Sequence, residues 1–179
     1  MSREFPPKIE RVATEGKILS YQDAVIKIRE SREKGLRVVL ASGVFDIVHI
    51  GHLDYLRAAK LAGDLLFVGV ESDDYARLNK GEKRPFNTLN DRLEILSEFQ
   101  FVDFVFGYDD VPIYSESESL KIYPRRYREL NPNLIAVTSW NPVVNLKKRQ
   151  AKEAGVELLL LNIERRDSTT RFLQLIGYE

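Results

Sequence analysis

Five short runs of almost unbroken apolar residues, LRVVLAS, LLFVGV, FVDFVFG, LIAVT and VELLLL, restrict this chain more than anything else in it. A strand with water on one face alternates apolar and polar residues, so runs without alternation must be covered on both faces. Between them the period returns to about 3.6: HLDYLRAAKLAG repeats through Leu53, Leu56 and Ala59 before Gly63, and TLNDRLEILSEF, NLKKRQAKEAG and STTRFLQLIG follow the later runs. A leading helix is read in SYQDAVIKIRESREKG, with Ser20 as its N-cap, Tyr21, Ala24, Val25 and Ile28 as its apolar stripe and Gly35 as its stop. This alternation predicts an α/β fold: a doubly wound, Rossmann-like, five-stranded parallel sheet with helices on both faces. Residues 1–35 read as an N-terminal tail and leading helix, and residues 36–179 as one domain, since 179 residues with 44% hydrophobic content suit a single core. Sheets of this kind bind ligands beyond the carboxyl ends of their strands, where the strand order reverses.

Charge narrows the partners. Lys plus Arg equal Asp plus Glu at 27 each, so no global field favours nucleic acid or a membrane surface, and an anion site must be local. There is no cysteine and no run long enough to span a bilayer, and the opening MSREFPPKIE lacks the apolar stretch of a signal peptide; a cytoplasmic location is expected. Two connections, ESDDYARLNKGEKRPFN and YDDVPIYSESESLKIYPRRYRELNP, exceed usual loop lengths and suggest segments that face a substrate. The second carries Tyr108, Tyr114, Tyr123 and Tyr127; its simplest reading is a helix around Ser119 to Leu130 with tyrosines against the core.

Both histidines of the chain, His49 and His52, stand in His-Ile-Gly-His between the first strand and the following helix. The first N–H groups of a helix have no intrahelical partner and carry partial positive charge. Gly51 admits a bulky group to the backbone, and each imidazole adds an N–H donor, so the turn suits a polyphosphate. Near the C-terminus, Ser168, Thr169 and Thr170 open the last helix and Arg171 adds a planar fork, a second anion site. Lys80, Lys83 and Arg84 lie after the second strand and Arg92 on the next helix.

These features resemble the HxGH nucleotidyltransferase superfamily: GVFDIVHIGH carries the histidine signature with its preceding Phe and Asp, STT the second motif, and KGEKRPFNTLNDR the intervening basic segment. From about Lys17 to Ile176 the chain looks most like the adenylyltransferases that make ADP-heptose from heptose 1-phosphate, and next like the glycerol-3-phosphate cytidylyltransferases. Class I aminoacyl-tRNA synthetases share the four letters, but the chain has no KMSKS-like loop, no basic surplus and no room for an anticodon-binding domain. The resemblance implies transfer of a nucleoside monophosphate, AMP ahead of CMP, from ATP or CTP to a sugar or polyol phosphate, with Mg²⁺ riding on the phosphates and no confident protein metal ligand. It implies His49, His52 and Lys80 as catalytic. Gly43, Val44, Phe45, Gly51, Thr138, Ser139, Trp140, Ser168, Thr169, Thr170 and Arg171 would bind nucleotide, and Asp46, Lys83, Arg84 and Arg92 the acceptor. A homodimer is expected by the same analogy.

Three departures fall near the expected pocket. TSW stands where the family has Gly-Gly-Asp, Arg165-Arg166-Asp167 replaces a small acidic stretch, and the segment from Asp109 to Pro132 is longer than the family's. They bear on base and acceptor identity, and they motivate an alternative of another class, an inactive nucleotide-binding regulator.

Overall fold

A computed structural model describes residues 16–108 and 115–164. The elements in chain order are β1 (Ile18–Leu19), α1 (Tyr21–Glu33), β2 (Val38–Gly43), α2 (Ile50–Lys60), β3 (Leu65–Val70), α3 (Asp73–Lys80), α4 (Leu89–Ser97), β4 (Phe104–Gly107), α5 (Glu116–Leu130), β5 (Leu134–Thr138), α6 (Val144–Ala154) and β6 (Glu157–Leu161). All strands pair in parallel in one sheet, in the order β1-β4-β3-β2-β5-β6.

Each unbroken apolar run feeds both faces, as its lack of alternation requires. On β2, Val39 and Ala41 join Leu56 and Ala59 of α2 and Leu93 and Leu96 of α4, while Val38 and Leu40 join Ala24 and Ile28 of α1, Tyr123 and Tyr127 of α5 and Ala151 of α6. Period-two side-chain direction alone makes that division. Each such Leu or Ile, fully withdrawn from water, contributes roughly 1.5–3 kcal/mol.

Local chemistry sets the helix starts. The Ser20 hydroxyl accepts from Asp23 N at the head of α1, and Thr88 with Asp91 forms a capping box on α4. The sheet has six strands where the sequence predicts five. The extra one, β1, is a two-residue edge beside β4, too short to carry a period. The long polar connection after β3 contains a helix, α3, capped by Ser72 and burying only Ala76. The connection after β4 contains α5, whose Tyr123 and Tyr127 are buried, as the simpler reading of the tyrosine-rich segment has it. Tyr114 and the last predicted helix, with Ser168 to Arg171, lie outside the described residues.

The chain runs from β2 outward to β3 and β4, then crosses back to place β5 on the other side of β2. The β2/β5 boundary is therefore the point where the strand order reverses, and a crevice is expected above it.

Candidate active site

The crevice is there. A cavity of about 240 Å³ opens at the carboxyl ends of β2 and β5, with the turn leading into α2 on one side and residues of α5 and α6 on the other.

The near side is built from GVFDIVHIGH. Gly43 ends β2, and a Cβ there would meet the Phe45 ring at 3.0 Å. Phe45 is almost fully buried and takes a left-handed backbone, φ 51°, which is sparsely populated for a side chain of this size and holds only where packing fixes it. His49 then occupies the N-cap of α2 with an extended backbone and makes no capping bond through its side chain. Its ring stacks on that of His52, centroids 3.8 Å apart, and Phe45 meets His52 edge-on at 5.2 Å. Burial holds the His52 imidazolium pKa down to about 3, helped by charge on His49 and by the Lys80 ammonium. At neutral pH the ring is uncharged, and its buried Nδ1 has no hydrogen-bond partner among the described residues.

Asp46, three residues before the stacked pair begins, faces away from the cavity. Its Oδ2 pairs with Arg84 Nε at 2.6 Å, both residues about 95% buried, while Oδ1 accepts from Phe86 N (2.7 Å) and Asn87 N (3.1 Å). Arg92 is completely buried. Its guanidinium donates to the carbonyls of Val44 (2.5 Å), Glu71 (2.8 Å) and Asn87 (3.1 Å) and to the Asp73 carboxylate (2.6 Å). The resemblance would have Asp46, Arg84 and Arg92 contact the acceptor; the structure turns their polar atoms inward, onto the loop 81–88 and the turn that carries the histidines. Lys83 is exposed on that loop, and Lys80 is exposed at the end of α3.

The floor is β5. Ile135, Ala136, Val137 and Thr138 line it, Trp140 stands at the rim 40% exposed, and the Trp140 indole N–H donates to Ile163 O at 3.0 Å. Ser139 is set aside from the opening, its amide donating to Leu161 O and its hydroxyl to Asn162 Oδ1.

Several residues around the cavity were not expected from the sequence. Tyr55, one helical turn beyond His52, donates to Ala136 O at 2.8 Å and so fastens α2 across the strand boundary; its spacing from His52 was the available signal. Tyr127 and Lys147 form the far side. Behind them the Glu71 carboxylate accepts from Tyr123 Oη at 2.6 Å and pairs with Arg126 at 3.2 Å, and the Arg126 guanidinium lies 3.9 Å over the Tyr108 ring. Glu71 and Tyr108 follow β3 and β4, and the others come from α5 and α6; the tyrosines stand in the segment read from sequence as packing on the core, but nothing local marks Glu71, Arg126 or Lys147.

With its doubly wound parallel sheet and its switch-point cavity headed by two imidazoles at a helix N-terminus, the chain belongs to the cytidylyltransferase-like family, whose pattern it matches over residues 40–171. Among individual proteins it is similar to the bifunctional protein HldE of Erwinia tasmaniensis, 32% identical over 161 residues, and to that of Yersinia pestis strain Pestoides F, 33% identical; each match covers 89% of this chain. The chain spans about a third of the length of those relatives (31% and 32%). Among solved structures it is similar to the lipopolysaccharide core biosynthesis protein of Thermoplasma volcanium GSS1, with 31% identity, a TM-score of 0.56 and coverage of 74% of this chain and 100% of that one. Pantoate-β-alanine ligase from Francisella tularensis shares the fold at 17% identity, with a TM-score of 0.62 over 83% of this chain and 67% of the ligase.

Proposed function

We propose that the chain transfers AMP from ATP to the phosphate of a sugar or polyol, a heptose 1-phosphate-like acceptor being favoured, and releases pyrophosphate. The observation that carries this reading is the stacked His49–His52 pair at the head of α2, opening on the switch-point cavity. Likeness to a lipopolysaccharide core biosynthesis protein supports a sugar acceptor.

A phosphate monoester is already ionised at neutral pH and needs no general base, so the reaction can rest on positioning and charge stabilisation. An acceptor phosphate oxygen forms a bond to the α-phosphorus as the bond from that phosphorus to the bridging oxygen breaks, and the electron pair leaves with pyrophosphate. In this reading the uncharged His52 ring and its neighbour His49 donate to oxygens on which charge builds, and the N–H groups around Gly51 add to them. Lys80 bridges donor and acceptor, Lys83 meets the acceptor, and Ser168, Thr169, Thr170 and Arg171 hold the leaving pyrophosphate. Gly43, Val44 and Phe45 flank the nucleotide on one side and Thr138 and Trp140 on the other, while Ser139 between them is turned away from the cavity. Asp46, Arg84 and Arg92 act as positioning residues that hold the loop 81–88 against the histidine turn.

Among the described residues no cluster of His, Cys, Asp or Glu could hold a metal ion, and both Asp46 oxygens are engaged. In this reading Mg²⁺ arrives with the triphosphate, where it would neutralise phosphate charge.

A thermal-shift screen of nucleoside triphosphates with Mg²⁺, followed by pyrophosphate release against sugar and polyol phosphates, tests the reading. Stabilisation by ATP and turnover with a sugar phosphate are expected, and His52→Ala should lower kcat about 10²–10³-fold. Full activity in that variant overturns the histidine role. Preference for CTP would favour the cytidylyl branch, and nucleotide binding without turnover of any acceptor would favour a regulator.

A further inference from the structure

The side of the cavity opposite the histidines carries a cation that pairs with no carboxylate among the described residues. Lys147 lies in the first turn of α6 and borders the cavity beside Tyr127. Its ammonium sits 3.7 Å over the Tyr123 ring and 3.5 Å from the Tyr127 hydroxyl, a long contact, and no carboxylate among the described residues is within ion-pair distance. Glu71 faces it electrostatically, but that carboxylate is already engaged by Tyr123 and Arg126.

The Tyr123 ring and the Glu71 charge favour the ammonium here, but the larger influences oppose it. The group is partly withdrawn from water, Arg126 lies nearby, and the N-terminus of α6 contributes partial charge of the same sign. Burial lowers the Lys147 pKa to about 8; Glu71 pulls it up and Arg126 pushes it further down, while the Tyr123 and Tyr127 phenols stay protonated well above neutrality. An ammonium has three donors, and here they meet one distant hydroxyl and an aromatic face. A methionine of similar length would fill the same space without the penalty. What the charge adds is attraction for an anion inside the cavity.

We infer that Lys147 is a specificity-determining residue whose ammonium pairs with an anionic oxygen group, phosphate or carboxylate, on the molecule that fills the α5/α6 half of the cavity. That this molecule is the acceptor rests on the reading proposed above; that the cavity takes an anion at this point does not.

The test uses the full chain, with inorganic phosphate and acetate as probes in calorimetric titrations of the wild type, Lys147→Met and Lys147→Arg, in the presence of saturating Mg²⁺ and a non-hydrolysable ATP analogue. Phosphate affinity should fall at least tenfold in Lys147→Met and stay within threefold in Lys147→Arg, with affinity for the analogue within twofold throughout. Acetate competing as well as phosphate assigns the carboxylate; phosphate binding alone assigns the phosphate. Thermal stability supplies a readout that a structural role would move the other way. The native ammonium loses its proton more readily than the same group in the unfolded chain, so it subtracts stability below about pH 8, and the penalty fades as pH rises towards 10.5. Lys147→Met should therefore melt at or above the wild-type temperature at pH 7. A lower melting temperature, unchanged phosphate affinity, a parallel loss of analogue affinity, or no anion binding to the wild type overturns the inference. If the analogue does not bind the wild type, the nucleotidyltransferase reading falls by itself, and the phosphate titration in a His52→Ala background still decides Lys147.

Discussion

His52 enters the fold as an uncharged ring, and this has a measurable sign. In the unfolded chain the imidazole takes up a proton near pH 6.5, in the native state only near pH 3, so between those values the unfolded state binds more protons. The stability this ring contributes is complete above pH 6.5 and drains away as pH falls towards 3. Thermal melts between pH 7 and pH 4 should show the wild type losing more stability than His52→Asn. Asp46 makes a second residue-level case. Replacing it by Asn removes the buried carboxylate charge that pairs with the Arg84 guanidinium, 5% exposed, and should cost about 3–5 kcal/mol in urea unfolding. The loop 81–88 should loosen with it, because Phe86, Asn87 and Arg84 all meet at that carboxylate.

At the scale of elements, packing against the sheet leaves little slack. A Cβ on Gly69 of β3 would come within 2.5 Å of the Tyr108 hydroxyl, which itself meets Ser42 Oγ at 3.1 Å under the cavity. Gly69→Ala should therefore cost roughly 1–3 kcal/mol and displace Tyr108, visible as a lower urea midpoint at unchanged m-value. All five apolar runs were legible, because burial on both faces writes itself into sequence as continuous hydrophobicity, and α1, α2, α4 and α6 were legible from their stripes and caps. Elements stabilised by something other than an apolar stripe were not. β1 is two residues held by pairing with β4, and α3 leans on Ser72 and its acidic first turn, with Ala76 its one buried apolar side chain. The site divides in the same way. The histidine turn is a contiguous string and can be read; Tyr127 and Lys147 meet it only through the crossing of β5 behind β2, and the inward direction of Arg92 depends on where the carbonyls of Val44 and Glu71 fall.

Across the whole molecule, β2 and β3 stand in the middle of the sheet, covered on both faces, while β1 and β6 form its edges. Hydrogen exchange should follow that order, with β2 and β3 amides exchanging slowest and those of β1 and β6 fastest among the strands. Nucleotide binding should add protection where β2 enters α2 and at the end of β5, the two lips of the cavity; protection confined to the α5 surface would place the ligand elsewhere. The strand reversal between β2 and β5 also divides the cavity by descent. The histidines hang from a helix on one face of the sheet, Tyr127 and Lys147 from helices on the other, and a substitution in the second group need not disturb the packing that holds the first. A lineage built on this plan can exchange one customer molecule for another through changes in α5 and α6 alone, and inherit its reaction unchanged.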